Sequence, residues 1–227
     1  LPACQRSERL RAAALVVALL LPSVPPIGHA YTFASQNHMF TIGVPVYSVA
    51  VGDVTGDGLP ELFSCVSGVG ALVRYRNLGG GEFVYDQALA TGAWPLDLIA
   101  VDVTGDGQLD IVVVEKNANS IRVFPSGTDP SFPLAVGSGP QGVAAGDVNG
   151  DGIVDLVAAN AAASSISLLL GLGGGSFQPQ QVYLVGHGTN AVVIGDLNGD
   201  GRKDVVAASG STPYGFDVCL GSATGIA

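Results

Sequence analysis

Acidic side chains, each set with a Thr or Asn between them, recur at fixed spacing in four short stretches of this chain. The stretches are GDVTGDGLPEL (52–62), VDVTGDGQLDI (101–111), GDVNGDGIVDL (146–156) and GDLNGDGRKDV (195–205). Counted from its first aspartate, each has an acid at positions 1, 5 and 9, Thr or Asn at position 3 and Gly at position 6. Three acids in each of four stretches account for twelve of the 19 acids in the chain. Oxygen-bearing side chains in this pattern converge on one point if the loop curls tightly, which suits a hard cation.

Three carboxylates held within one tight loop repel one another unless a cation lies between them. Calcium takes about 6–8 oxygen ligands, and the backbone carbonyl at position 7 can supply one of them. The glycine at position 6 allows the sharp turn, where a side chain would be strained; it is Gly58, Gly107, Gly152 and Gly201 in the four loops. The loops therefore predict up to four calcium ions in a structural role.

Two other interpretations of the loops compete with this one. An EF-hand shares the first six positions but requires a bidentate Glu at position 12 and flanking helices. Position 12 is Ser64, Val113, Ala158 or Ala207, each inside an apolar stretch, so the EF-hand is excluded. A metal-free turn, held by hydrogen bonds between Asp or Asn side chains and the backbone, remains as the alternative.

The loops mark an internal repeat. Their first aspartates, Asp53, Asp102, Asp147 and Asp196, are separated by 49, 45 and 49 residues. A short apolar stretch precedes each loop, two more follow it, and a fourth, more polar stretch ends the unit. Short runs of this kind, bounded by Gly, Asn and Pro, predict strands. Four strands in a unit of this length are typical of a β-propeller blade. The sequence therefore predicts an all-β fold of about four four-stranded, propeller-type blades.

The phase of the repeat leaves two arrangements open. Residues 32–42 look like the fourth strand of a blade when compared with 176–185, whereas the last unit ends where its fourth strand should start. The N-terminal strand could complete the last blade and close a ring without a free edge. Alternatively, the four units are part of a larger ring, because propellers have about 4–8 blades. An incomplete ring would favour an oligomer.

The spacing D-x-[NT]-x-D-G-x-x-[DE] before an apolar strand resembles the FG-GAP/VCBS repeat family, whose calcium-binding blades also form the integrin α-subunit propeller. The resemblance covers essentially all of 31–227 and rests on four copies of the motif. It implies calcium in the loop between the first two strands of each blade, held by the side chains at positions 1, 3, 5 and 9 and the carbonyl at position 7. The implied ligands are Asp53, Thr55, Asp57, Leu59 and Glu61; Asp102, Thr104, Asp106, Gln108 and Asp110; Asp147, Asn149, Asp151, Ile153 and Asp155; and Asp196, Asn198, Asp200, Arg202 and Asp204.

The first two loops depart from the strongest form of the motif. Thr55 and Thr104 replace Asn at position 3 with a shorter hydroxyl, and Glu61 replaces Asp at position 9 with a side chain one methylene longer. We therefore expect the first calcium site to be the weakest and the third and fourth to be the tightest.

The N-terminal residues have the features of a secretory signal peptide. Three arginines precede the apolar run AAALVVALLL (12–21), and small residues precede a cleavage site after Ala30. The apolar run is too short to span a bilayer. We therefore predict a signal peptide at 1–30, repeats over 31–227, and a secreted, periplasmic or cell-surface location. Removal of 1–30 leaves 6 basic and 18 acidic residues, so the net charge changes from −10 to −12.

Two cysteines follow the predicted cleavage site. An oxidising compartment would permit Cys65 and Cys219 to pair. Both lie in apolar, strand-like stretches far apart in the chain, so two buried thiols are favoured over one disulfide.

The charge balance and the absence of a catalytic motif restrict the function. A chain with net charge −10 has no basic patch for nucleic acid. His38 and His187 show no spacing typical of a metal site or a triad, and no G-x-S-x-G occurs. We expect Asp97 and Glu115 to be solvated surface residues without partners.

Two classes of function remain from the sequence. The first is a non-enzymatic module that binds a protein or a carbohydrate through loops on one face of the ring. The second is the propeller portion of a polysaccharide-degrading lyase or hydrolase. Trp94 and Tyr214 could form an aromatic platform for a sugar, but packing at a junction between blades is the favoured interpretation of these two side chains.

Overall fold

The computed structural model describes residues 45–186, 188–212 and 214–226. The chain divides into Leu1–Asn37, which lies wholly outside these residues, and His38–Ala227, which contains all of them. The predicted signal peptide, the predicted strand at 32–42, His38 and His187 therefore lie outside the described residues. Within the described ranges, no helix has the length and apolar character needed to cross a membrane.

The chain folds as consecutive antiparallel sheets, which confirms the predicted blades. Blade 1 consists of β1 (Val46–Gly52), β2 (Glu61–Val66), β3 (Ala71–Gly79) and β4 (Glu82–Ala90). Blade 2 consists of β5 (Pro95–Val101), β6 (Asp110–Glu115), β7 (Ser120–Phe124) and β8 (Phe132–Ala135), with short 3-10 turns at Lys116–Ala118 and Pro125–Gly127. In both blades the sheet order follows the chain order.

Blades 3 and 4 add a small hairpin after their third strand. Blade 3 contains β9 (Pro140–Gly146), β10 (Asp155–Asn160), β11 (Ser165–Leu169), the hairpin β12 (Gly171–Gly173) and β13 (Ser176–Phe177), and β14 (Gln181–Leu184). Blade 4 contains β15 (Thr189–Gly195), β16 (Asp204–Ser209), β17 (Gly215–Cys219) and the hairpin β18 (Gly221–Ser222) and β19 (Gly225–Ile226). Its main sheet has three strands among the described residues.

Alternation along the second strands explains how the blades pack. In β6, Ile111 and Val113 join the core shared with blade 1, whereas Val112 and Val114 join the core shared with blade 3. All four side chains are fully buried. Successive residues of a strand point to opposite faces, so a strand covered on both faces must be apolar throughout. The continuous run IVVV is thus the signature of a blade with a neighbour on each side.

The first strands of consecutive blades lie against one another, and glycines permit this close approach. A Cβ atom on Gly142 of β9 would lie 2.9 Å from the backbone oxygen of Asn190 in β15. Apolar side chains are exposed on β1 and β17, among them Val49 and Phe216, at 60% and 72%. Further blades or a second copy of the chain would cover such surfaces, and the expected oligomer stays a prediction.

Candidate metal centre

Each acidic loop connects the first and second strands of its blade, as the sequence predicts. The four loops therefore lie at the same end of their blades, because neighbouring strands are antiparallel. Glycines at positions 4 and 6 have positive φ in every loop, between 75° and 79° and between 83° and 87° respectively. The backbone at these positions therefore has the same conformation in all four loops.

The aspartate at position 1 organises this path. Its Oδ1 atom accepts a hydrogen bond from the position 4 N–H at 2.6–2.7 Å, and its Oδ2 atom accepts one from the position 6 N–H at 2.8–3.0 Å. Hydrogen bonds from Gly58 and other backbone N–H groups hold the pKa of Asp53 below its usual value. For Asp102, partial burial raises the pKa, but hydrogen bonds from Gly107 and Gly105 leave it lowered overall. Such bonds favour the ionised carboxylate.

The side chain at position 3 distinguishes the first two loops from the last two. The Thr55 and Thr104 hydroxyls lie 3.4 Å from Oδ1 of the aspartate at position 1. Asn149 instead donates from Nδ2 to Oδ2 of Asp151 at 2.9 Å, and Asn198 makes the same contact with Asp200 at 3.1 Å. Position 3 therefore lies beside a carboxylate in every loop.

The aspartate at position 5 accepts a hydrogen bond from the backbone N–H at position 7. The distance is 2.8 Å in all four loops. The position 7 residues, whose carbonyls are calcium ligands by the family resemblance, are Leu59, Gln108, Ile153 and Arg202. Positions 1, 3 and 5 thus gather oxygen atoms on the exposed side of the loop.

The acid at position 9 is fully buried at the start of the second strand, unlike the other three loop positions. In Asp155, Oδ2 accepts a hydrogen bond from Val148 N–H at 2.9 Å and Oδ1 accepts one from Gly171 N–H at 2.8 Å. Asp110 likewise accepts hydrogen bonds from the backbone N–H groups of Val103, Thr104 and Ser126. Asp204 accepts them from the backbone N–H groups of Leu197 and Gly221. This acid therefore ties the loop to the segment that follows the third strand. Its predicted role as a metal ligand stays a prediction.

Glu61, the one glutamate at position 9, is an exception. Its Oε2 atom accepts a hydrogen bond from Val54 N–H at 3.2 Å, but its Oε1 atom is buried and finds no hydrogen-bond partner among the described residues. Burial raises the pKa of Glu61, and the nearby Asp57 and Asp53 carboxylates raise it further. Among the described residues, the first loop thus contains a buried carboxylate oxygen without a hydrogen-bond donor.

Asp155 shows the same electrostatic coupling in the third loop. Burial raises its pKa, hydrogen bonds from Gly171 and Val148 oppose this, and the Asp151 and Asp147 carboxylates raise it again. The acids at positions 1, 5 and 9 of this loop therefore lie close enough for their charges to repel.

Within the residues that the structure describes, no group of three or more His, Cys, Asp or Glu side chains is arranged to hold a metal ion by itself. A calcium site would therefore need the other oxygen donors of the loop, the Thr or Asn side chain at position 3 and the carbonyl at position 7. These are donor types that calcium accepts. The side-chain oxygens at positions 1, 3 and 5 are of the type that calcium binds. The buried acid at position 9 adds negative charge beneath them.

Two acids outside the loops were expected on the solvated surface, and both expectations are wrong. Glu115 is fully buried: Oε1 accepts hydrogen bonds from Arg122 Nε at 2.6 Å and Gly92 N–H at 2.5 Å, and Oε2 accepts one from Ser120 at 2.6 Å. Each of these partners belongs to another strand or linker, so a single copy of the repeat gives no sign of them.

Asp97 is the second such acid. It is partly buried on β5, where it accepts hydrogen bonds from the Ser48 hydroxyl of blade 1 at 3.0 Å and from Val143 N–H of blade 3 at 3.3 Å. It therefore links three consecutive blades at their first strands.

The aromatic residues and cysteines complete the comparison with the sequence. Trp94 and Tyr214 are exposed, at 43% and 76%, so the interpretation that they pack at blade junctions is wrong.

Cys65 and Cys219 are free thiols, as predicted, although only Cys65 is fully buried. Burial raises the pKa of Cys65 to about 12, which makes this thiol unreactive.

Three solved structures with the same fold are a biofilm matrix protein, a lectin and a protein in a two-protein complex. The biofilm matrix protein Bap1 of V. cholerae has a TM-score of 0.53 and 23% identity, covering 77% of this chain and 27% of that one. An Agrocybe aegerita lectin that recognises non-reducing terminal N-acetylglucosamine has a TM-score of 0.52 and 18% identity, covering 78% and 50%. BBS1N, solved in complex with ARL6DN, has a TM-score of 0.55 and 14% identity, covering 74% and 52%. This chain therefore spans about half or less of each of these chains.

No curated protein matches this chain. The FG-GAP-like repeat matches at three overlapping places, residues 53–113, 102–158 and 147–207, each of which runs from one acidic loop past the next. The matched region, 53–207, covers more than half of the 227 residues. On this match and on the four blades with their common loop, the chain belongs to the FG-GAP-like repeat family.

Proposed function

We propose that this chain is an exported, non-enzymatic binding module in which calcium stabilises the propeller blades. The observation that carries the proposal is the fourfold recurrence of one loop geometry, with the same acids at positions 1, 5 and 9. The same hydrogen bonds organise each loop, at distances that agree within 0.2 Å for positions 1 and 5. A common ligand is the best explanation for four copies of one cluster of three acids.

The first loop provides the local argument for a cation. Glu61 Oε1 is buried without a hydrogen-bond partner in the described part of the chain, and burial together with the Asp57 and Asp53 carboxylates raises its pKa. A buried polar atom without a partner costs about 1–3 kcal/mol. A divalent cation among these oxygens would remove both costs. The same residues at positions 1, 3, 5, 7 and 9 of each loop would hold it, and the ion would supply charge neutralisation and a cross-link between two strands.

The expected contribution of calcium to stability is large. Extracellular modules bind calcium with dissociation constants of about 10⁻⁴–10⁻³ M. At about 1 mM calcium, each such site adds about 0.4–1.4 kcal/mol to the free energy of unfolding. Four sites would add about 2–6 kcal/mol, against a typical total of about 5–15 kcal/mol. This magnitude supports a structural role for the ion.

Carbohydrate is the ligand class that we favour. The Agrocybe aegerita lectin and the V. cholerae matrix protein provide examples of sugar recognition and of a matrix protein on this fold. Two acids outside the loops are engaged in the fold: Glu115 pairs with Arg122, and Asp97 accepts a hydrogen bond from Ser48. The charged, apolar and small-residue order of 1–30 supports export.

Equilibrium dialysis of the full chain against ⁴⁵Ca²⁺, with melting curves in 1 mM calcium and in EDTA, tests the calcium proposal. We expect uptake of up to four ions and a melting temperature several degrees lower in EDTA. The double variant D151N/D200N should lose two sites and much of the EDTA effect. E82Q, which removes an exposed acid outside the loops, should change neither. Absence of uptake by the native chain would refute the calcium proposal.

A further inference from the structure

A cleft of about 400 Å³ lies on blade 1, at the end of its strands opposite the acidic loop. One wall is the turn between β2 and β3, and the other is the linker between β4 and β5. The lining residues are Ser67, Gly68, Val69, Gly70, Thr91, Gly92, Ala93 and Trp94. Small-molecule sites have volumes of about 300–1,000 Å³, so the cleft has the size for such a ligand.

Trp94 has a backbone conformation that is unfavourable for a bulky residue. Its φ is +64°, in the left-handed region that glycine adopts without strain. Gly139 occupies the same place in the next repeat, two residues after the repeated glycine and directly before a proline, and its φ is +63°. The second and third units therefore share this conformation, and the second unit places an indole there at a cost in stability. A strained residue at a cleft indicates a role outside folding.

The turns around Trp94 and Gly139 share a backbone hydrogen bond as well as their φ. The carbonyl of Trp94 accepts a hydrogen bond from Lys116 N–H at 3.1 Å, and the carbonyl of Gly139 accepts one from Ala161 N–H at 3.1 Å. Lys116 and Ala161 are 45 residues apart, which is the repeat interval. The fold thus accommodates glycine at this place, and the indole itself is dispensable for the backbone.

The lining of the cleft indicates the chemistry of its ligand. None of the eight lining side chains is charged, in a chain with net charge −10. The indole of Trp94 and the side chain of Val69 are exposed, at 43% and 67%. Thr91 contributes a hydroxyl, and Gly68 and Gly70 leave the backbone accessible. An exposed aromatic face beside small polar groups, without charge, suits a ring with one apolar C–H face and hydroxyl groups at its edge.

We propose that this cleft binds one pyranose unit of a neutral carbohydrate, with the sugar ring stacked on the indole of Trp94. The inference rests on the proposed binding function for its ligand class, but not on the calcium loops, which lie at the opposite end of the blade. The other repeats have no aromatic residue at the place of Trp94: the equivalents are Pro45, Gly139 and Gly188. The site therefore occurs once per chain among the described residues.

Trp94 is the single tryptophan of the chain, so its fluorescence reports directly on the cleft. The full chain is titrated with neutral trisaccharides built from glucose, N-acetylglucosamine, mannose or galactose, and with the anionic trimer of galacturonic acid. We expect at least one neutral trisaccharide to shift the emission with saturation at one equivalent per chain, and the anionic trimer to have no effect. Tighter binding of the anionic trimer, or no shift with any neutral trisaccharide, would overturn the proposal.

The variant W94G copies the third repeat and provides the decisive comparison. We expect its melting temperature to be unchanged or higher, because the strain is removed, while calorimetry shows binding about tenfold weaker or lost. Y214S removes an exposed aromatic side chain outside the cleft and should bind like the native chain. If W94G binds the same sugar with native affinity, the sugar does not bind in this cleft, although the proposal that the chain is a binding module is retained. Calcium uptake, measured separately on each variant, should stay at the native level.

Discussion

The Oδ1 atom of Asp155 accepts a hydrogen bond of 2.8 Å from the backbone N–H of Gly171. This bond joins the acidic loop of blade 3 to the hairpin that follows the third strand. The Oδ2 atom accepts a second bond from Val148 N–H at 2.9 Å, inside the loop itself. The fully buried carboxylate therefore acts as a connector even before any cation is considered. Positions 5 and 9 of one loop should thus respond differently to the same chemical change.

We predict that D155N destabilises the protein in EDTA as well as in calcium. An amide in place of the carboxylate retains one acceptor oxygen, while its NH₂ group faces an N–H donor, so one buried donor loses its partner. The expected loss is about 1–3 kcal/mol in the free energy of unfolding. Urea denaturation under both conditions measures it.

D151N is the matched control for this prediction, since Asp151 is an exposed acid four residues earlier in the same loop. It should lower stability in calcium but leave the EDTA value almost unchanged. Equal losses for the two variants in EDTA would contradict the connector role of Asp155.

The dependence of stability on pH should change direction when calcium is removed. Burial raises the pKa of Asp155 above 3.8 and that of Glu61 above 4.5 in the folded chain. The folded state therefore binds these protons more tightly than the unfolded chain, and their cost to stability is removed as the pH falls through the folded pKa values. In EDTA, the protein should become more stable on acidification from neutral pH toward 4.5 and 3.8.

Below about pH 3.8, the aspartates with lowered pKa values determine how stability depends on pH. Hydrogen bonds hold the pKa of Asp53 and Asp196 below 3.8, so their contribution is present above that value and is lost as the pH falls through the folded pKa. In calcium, acidification should destabilise the protein throughout, because the ion needs ionised ligands. Urea midpoints from pH 7 to pH 3 check this, and E61Q should flatten the rise in EDTA. Parallel curves with and without calcium would contradict the prediction.

The first loop should be the weakest calcium site, and T55N should strengthen it. Thr55 presents a hydroxyl 3.4 Å from Asp53, whereas Asn149 and Asn198 present a longer amide to the carboxylate at position 5. The amide oxygen is the stronger donor for calcium. Isothermal titration should show the weakest binding constant rising in T55N while the others stay constant. Filling of the first site before the third and fourth would contradict the ranking.

The repeat interval was sufficient to predict the blades, because hydrophobic alternation and glycine spacing recur in each unit. The loop path also follows from sequence, since Gly58 and its equivalents need positive φ. The partners of Asp97 could not be predicted, because Ser48 and Val143 belong to other blades and no spacing rule connects them. Trp94 is different: alignment with Gly139 alone would have marked it as an unusual residue at a glycine position.

Glu115 and Arg122 form a charged version of a cluster that the next repeat builds from neutral residues. The equivalents 45 residues later are Asn160 and Ser167, and Asn160 Nδ2 donates to Ser167 at 2.8 Å. In blade 2, Gly92 N–H donates to Glu115; in blade 3, Gly137 N–H donates to Ser167 at 3.1 Å. The two sets of residues thus satisfy the same backbone donor by different means.

This equivalence predicts that R122S is far more harmful than the double variant E115N/R122S. Loss of Arg122 alone leaves the fully buried carboxylate of Glu115 without its cation, which costs about 3–5 kcal/mol. The second change removes the buried charge and recreates the neutral cluster beside Ser120, so at least half of the loss should be recovered. Urea denaturation of the native chain, both single variants and the double variant gives the coupling energy. If the losses of the single variants simply add in the double variant, the two positions do not form one unit. Blades 2 and 3 then correspond in their backbone but not in these side chains.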